Sequence, residues 1–352
     1  MNEPMQPRKG IFNLLLLLLA LPAGLCSQDI HFSQFMETPL WRNPSLAGIF
    51  QGDFRAQGVY RTQWGSVTVP YRTGSFNTEY KMPVNARRGG NDFLTIGAQI
   101  TYDMAGSTNF KTIHVLPAIN YHKSLSGNRN TYLSLGFMGG FVQRSIDRSK
   151  ISTNSQFDGS GYNPMLDINE SLVNYNRSYG DASVGLSFNT ALSEDQYDNM
   201  FVGVAYHHFN RPSNSFYRNP GIELNPKWVY SAGVRFGITE LAYLTLLGDY
   251  SKQGVYNEVL FGGMVGHSIG GAAFTESAQN LHVGAFIRWR DAIIPVLKLD
   301  LHPFSIAFSY DINTSQLRTA SKGRGGFELS ITYQRFFDRD NSTKNAVLCP
   351  RF

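Results

Sequence analysis

Residues 93–103 read FLTIGAQITYD, and the alternation in this stretch decides the fold. Leu94, Ile96, Ala98, Ile100 and Tyr102 fall on one face; Thr95, Gly97, Gln99, Thr101 and Asp103 fall on the other. A repeat of two is the side-chain period of a β-strand. Alone, the stretch fits either a water-soluble sheet or a membrane barrel with a polar interior. The same alternation returns along the chain. Leu133, Leu135, Phe137 and Phe141 oppose Ser134, Gly136, Met138 and Gly140. Leu281, Val283, Ala285, Ile287 and Trp289 oppose His282, Gly284, Arg288 and Arg290. Phe304, Ile306, Phe308 and Tyr310 oppose Ser305, Ala307, Ser309 and Asp311. Many polar-face residues are small, and the apolar faces end in aromatics. That combination favours a barrel over a soluble sandwich, and closure also removes open strand edges.

Extending the pattern places strands near 53–64, 71–82, 91–103, 110–123, 131–146, 179–190 and 198–209. Further strands are expected near 226–237, 241–251, 255–266, 280–290, 292–300, 303–312 and 325–336. The expected fold is all-β, a transmembrane antiparallel β-barrel of outer-membrane type with about fourteen strands. Composition agrees. Aromatics make up 13% of the chain, which suits strands and interfacial girdles, and 34 glycines suit tight turns and crowded interiors. The connections are uneven. Residues 148–178 form the largest, followed by 210–225 and 267–279. With both termini on the periplasmic side, the first two lie outside the cell. The third falls on the inner side, against the usual rule of short inner turns.

The only long apolar run is 11–25, behind Arg8 and Lys9. It is short for a spanning helix and resembles a secretory signal, with cleavage expected between Ser27 and Gln28. Cys26 invites a lipoprotein reading, but Leu25 stands where a small residue should precede a lipidated cysteine. Removing 1–27 takes away two cations and one anion, so the net charge of +5 falls by one. No Lys/Arg block or aromatic–basic stripe points to nucleic acid. Of two cysteines, Cys349 alone would remain, without a disulfide partner or a paired metal motif.

Chemistry-bearing motifs are sparse. His207 and His208 are adjacent, so on a strand they point to opposite faces and cannot share a metal. No GxSxG, HExxH, Walker A or dinucleotide fingerprint occurs. Asp158 and Asp195 sit in acidic loops without the spaced carboxylates of a calcium loop. The expectation is a protein that is not an enzyme and needs no cofactor or metal. Arg61, Arg288, Arg290 and Asp311 are candidates for a charged lumen, or for plain ion pairing inside a closed barrel.

The expected mature start, QDIHFSQFMETPLWRNPSLAG, contains a turn at Asn43-Pro44-Ser45-Leu46-Ala47-Gly48. Tyr60-Arg61-Thr62-Gln63-Trp64 follows. Far later come the DAIIP stretch of residues 291–295, Ser309-Tyr310-Asp311 and the final Cys349-Pro350-Arg351-Phe352. In order and spacing this ensemble resembles the PorP/SprF family of type IX secretion-system outer-membrane proteins of the Bacteroidetes. The resemblance covers essentially the whole mature chain. It implies a multi-pass β-barrel of the cell outer membrane that helps secrete or anchor a large cell-surface protein, such as a gliding adhesin. Implied partners are that secreted protein, type IX secretion components and outer-membrane lipid. The family leaves a second role open, a structural link between outer membrane and periplasmic secretion ring. On residues alone, a general diffusion porin or small-solute channel is the rival.

The expected organisation is a signal peptide over 1–27 and a periplasmic N-terminal segment or plug over 28–52. A barrel over 53–337 and a periplasmic tail over 338–352 complete it. Candidate partner-binding residues form two groups. Tyr162, Leu166, Leu172 and Tyr175 give the largest loop apolar anchors that pure disorder seldom needs. His31, Phe32, Phe35 and Trp41 lie in the N-terminal segment, as a plug, a contact surface or a lead-in.

Overall fold

A computed structural model of the chain describes residues 29–65, 69–84, 91–126, 130–169, 175–193, 198–217, 219–269, 279–315 and 317–337. The expected signal peptide, the tail over 338–352 and both cysteines lie outside them.

Fourteen strands close into one antiparallel barrel. They are β1 (Phe54–Gln63), β2 (Tyr71–Val84), β3 (Asp92–Ala105), β4 (Phe110–Ser124), β5 (Tyr132–Ser145), β6 (Asn176–Ala191) and β7 (Asn199–His207). The second half comprises β8 (Lys227–Gly237), β9 (Ala242–Gln253), β10 (Tyr256–Ser268), β11 (Gln279–Arg288), β12 (Ala292–Leu301), β13 (Phe304–Asn313) and β14 (Arg324–Arg335). Each strand pairs with its sequence neighbours, and β1 closes on β14 with Phe54 opposite Arg335 and Thr62 opposite Phe327. The ring leaves no strand edge open, as a chain crossing hydrocarbon requires. Strand count and type agree with the alternation in the sequence. Several ends shift by one to three residues, two of them for a clear local reason. β7 stops at His207 and β11 at Arg288 because His208 (φ 55°) and Arg290 (φ 63°) are left-handed and turn the chain out of the ladder.

Burial is inverted relative to a soluble protein. Ile96, Ile119 and Phe137 stand side by side across β3, β4 and β5 and are 44–48% exposed. Inward-facing Thr95, Asn120 and Ser134 on the same three strands are fully buried. Apolar outside and polar inside is the pattern of a lipid-facing barrel. Among the described residues no helix is long and apolar enough to cross a membrane.

The two long connections, 146–175 and 208–226, leave the same rim; β1 begins and β14 ends at the other. By the loop asymmetry of outer-membrane barrels the first rim is the outer one. The β10–β11 connection leaves the inner rim and is shorter than the sequence suggested, since the two strands pair as far as Ser268 opposite Asn280. Part of the outer loop carries its own structure. The Gln156 side chain accepts the Thr153 amide at 3.1 Å, and Phe157 bridges to Tyr162.

Ile96→Arg and Leu135→Arg are each expected to destabilise the barrel by about 2–4 kcal/mol where the side chain meets mid-membrane lipid. Leu135→Met should be nearly neutral. Reversible folding into lipid vesicles measures both, and equal tolerance would reverse the facing assignment.

Candidate functional site: the filled lumen and its outer mouth

Residues 29–53 run inside the barrel, from the outer mouth to the inner rim. Three single turns compact the segment: Phe35–Glu37, Pro39–Arg42 and Pro44–Leu46. Proline opens the second and third, where its missing N–H costs nothing. The Asn43 side chain caps the last turn by accepting from the Ser45 amide at 2.9 Å.

Opposite charges fix this segment to the wall. Glu328 of β14 accepts the backbone amides of Ser33 (2.6 Å) and Gln34 (2.7 Å) and pairs with Arg61 of β1. Arg61 also reaches Asp311 at 3.0 Å, and Arg288 joins Asp311 (3.1 Å) to the Ser33 hydroxyl (2.6 Å). Lower down, Glu37 takes Lys298 (2.6 Å), Gln57 (3.0 Å) and Thr332 (3.1 Å). Arg42 pairs with Asp249, lies over the Phe35 ring, and its carbonyl accepts from His207 at 3.0 Å. Near the inner rim, Glu79 holds Arg55 (2.7 Å) and the Gly48 amide (2.7 Å). Asn120 donates to the carbonyls of Ser45 and Ala47. Charged buried groups are tolerable only when paired in this way.

Apolar contacts fill the rest. Phe35 meets Phe286 edge-on at 5.2 Å, and Met36, Leu46, Phe93, Phe201, Leu247 and Met264 share one core. Two wall positions cannot carry a side chain. A Cβ on Gly136 would come within 2.5 Å of the Pro44 carbonyl, and one on Gly185 within 1.8 Å of the Asn43 side chain.

The segment is tethered at the mouth by Asp29. Its carboxylate sits between His208 (2.8 Å) and Lys227 (3.7 Å), and His208 is held from the other side by Asp181 at 2.8 Å. Burial disfavours the His208 cation, but the two carboxylates outweigh it and raise its pKa to about 10. Burial likewise raises Asp29, but the charges of His208 and Lys227 overcome this and hold it far below the usual carboxylate range. The left-handed turn at His208 returns its ring to the interior, 6.2 Å from His207. The expectation that the two rings face opposite sides therefore fails, because the strand ends between them. Among the described residues no group of metal-ligating side chains is assembled. Above Asp29 lies a cavity of about 310 Å³, lined by His31, Trp41, Trp64, His114 and Arg144 among others.

The candidate partner-binding residues fall in two places. Phe32 and Phe35 are buried in the lumen, and His31 and Trp41 are half-buried beneath the mouth cavity. Tyr162 (55% exposed) and Leu166 (38%) project from the outer loop, while Tyr175 lies under Arg148. Leu172 lies outside the described residues. Arg61, Arg288 and Asp311 meet in the lumen; Arg290 is exposed on the β11–β12 turn. Sequence reasoning missed Glu37, Arg42, Glu79, Asp249 and Glu328. The available signal was a charge on the inward parity of a strand that is otherwise apolar outward, as at Glu328 between Phe327 and Leu329.

The family model for the type IX secretion system membrane protein PorP/SprF matches residues 25–333. The chain belongs to the PorP/SprF family. As a PorP/SprF protein it is a non-enzymatic outer-membrane accessory of type IX secretion, associated with that machinery and its cargo. No curated protein matches this PorP/SprF chain. Among solved structures it is similar to the Ralstonia pickettii toluene transporter TbuX, at 9% identity and TM-score 0.48 over 86% of this chain and 94% of that one. The P. putida toluene transporter TodX gives 9% identity and TM-score 0.46 over 84% and 93%. A Pseudomonas aeruginosa FadL homologue gives 9% and 0.40 over 85% and 94%. Likenesses at such scores assign no shared function.

Glu328→Ala leaves Arg61 short of a partner and two buried amides unbonded, a loss of about 3–5 kcal/mol of segment anchoring. Planar-bilayer recordings should be silent for the wild type and show open-channel current for this variant. Silence in both would mean that Glu328 does not hold the lumen closed. The His208 anchor has its own pH signature. A pKa raised from 6.5 to about 10 gives stabilisation fully present below about pH 6.5, declining as pH rises and gone above about pH 10. Protease sensitivity of the N-terminal end should rise across that range in the wild type, and less steeply in His208→Phe.

Proposed function

We propose that this barrel holds a large secreted surface protein at its outer rim and so helps secrete or anchor it. The observation that carries this reading is an apolar cluster raised beyond the membrane on a structured loop. Phe157 is 60% exposed, Tyr162 55% and Met165 91%. Apolar groups displayed together above the lipid zone mark a protein contact better than a solute path. The hydrogen-bonded ordering of 147–169 supports the same reading, since a merely solvated loop needs neither cap nor bridge. A lumen filled by residues 29–53 favours a plugged accessory over a diffusion porin.

Affinity purification of the tagged protein from native membranes in mild detergent tests this. The wild type is expected to capture a type IX-secreted surface protein or secretion components. Replacing 150–176 by a short Gly/Ser turn should keep the barrel's heat-shifted gel mobility and weaken that capture. Recovery of neither class of partner by the wild type would contradict the proposal.

A further inference from the structure

The mouth cavity has a cation outside any ion pair among the described residues. Arg144, inward on β5 at the outer end, rests its guanidinium over Phe110 at 4.8 Å and near Phe216 at 5.9 Å. Among the described residues no carboxylate lies within ion-pair distance of it, unlike Arg42, Arg55, Arg61 and Arg288 in the same lumen. His114, 8% exposed, lines the same cavity, and its Nδ1 has no hydrogen-bond partner. The walls are aromatic. Trp41 stands edge-on to His114 at 5.1 Å, and Trp64 packs on Tyr71 at 4.7 Å.

Two acids also line the cavity, and they narrow the ligand. Asp29 is neutralised by His208 and Lys227. Among the described residues Asp103 accepts only from the Thr73 hydroxyl, at 2.7 Å. The register places Asp103, Thr112 and Arg144 side by side on β3, β4 and β5. Acid and base are thus roughly 10 Å apart along the wall, at two strand spacings. Inorganic anions of high charge are disfavoured by Asp103. The complementary ligand has one carboxylate for Arg144, an N–H donor for Asp103 and an apolar group for the aromatic wall. A peptide bearing an acidic group beside an apolar side chain combines all three.

We propose that this vestibule is a peptide-carboxylate site, which seats an acidic group of the secreted partner on Arg144. The inference rests on the partner-binding reading of the outer rim and adds the chemistry that rim would recognise. The floor of the site is the start of the lumen segment, Asp29 to His31, so an occupant touches the chain that runs to the inner rim.

The mature protein in lipid nanodiscs provides the test. Trp41 and Trp64 line the cavity while Trp228 and Trp289 face outward, so tryptophan fluorescence reports occupancy. N-acetyl-glycyl-phenylalanine should bind saturably, and its amide about tenfold more weakly, since a charge-assisted bond is lost. N-acetyl-aspartyl-phenylalaninamide separates the sources: tighter binding than the free acid assigns a side-chain carboxylate, weaker binding a chain end. Arg144→Met should reproduce the loss for both acids. Ala105→Trp, which fills the cavity and keeps Arg144, should do the same, with heat-shifted gel mobility showing both variants folded. Equal binding of acid and amide, wild-type binding by Arg144→Met, phosphate binding as tight as the peptide, or no response from the wild type overturns the site. Partner capture by a wild type that binds no peptide would overturn the vestibule alone. Peptide binding without partner capture would instead fault the rim's proposed role.

Discussion

Closing a sheet into a ring satisfies every strand edge but leaves a polar wall facing inward, and that wall has to be neutralised. Here the wall carries Arg61, Glu79, Asp249, Arg288, Lys298, Asp311 and Glu328, all deep in the lumen. A wide water-filled pore would hydrate them. This chain supplies its own counter-groups: Glu37 for Lys298, Arg42 for Asp249, and the amides of Ser33 and Gln34 for Glu328. Charge matching between wall and inner segment is therefore the condition on which the filled lumen, its glycine clearances and the tethered mouth depend.

The direction of the inner segment follows from the same pairing. Asp29 is held at the outer mouth, and the turns through Leu46 descend to Gly48 and Phe50, where Glu79 and Lys81 receive them. The chain then reverses into β1, which returns to the outer rim. One continuous stretch thus touches the outer cavity and the inner rim. Whatever occupies the mouth rests on a segment whose other end lies on the periplasmic side.

The barrel was legible because its signal is local. Alternation in β3, β5 and β13 needs only neighbouring residues to be seen, and lipid outside demands the apolar half at every strand. The largest loop was legible as a gap in that pattern. The lumen was not. Single turns such as Phe35–Glu37 have no repeat to detect. The partners of Ser33 and Gln34 lie almost three hundred residues away, across the barrel closure. Two adjacent histidines misled for a related reason: strand parity holds only while the strand lasts, and a positive φ at His208 ends it. The setting of Arg144 could not be read at all, since it comes from the absence, among the described residues, of a carboxylate within ion-pair distance in three dimensions.

Hydrogen–deuterium exchange of the protein in lipid nanodiscs tests the filled lumen most directly. The amides of Ser33, Gln34 and Gly48 donate to the carboxylates of Glu328 and Glu79. They are expected to exchange as slowly as the strand amides of β1 and β14. Exchange of residues 33–48 at the rate of a free chain, with the strands protected, would contradict the account.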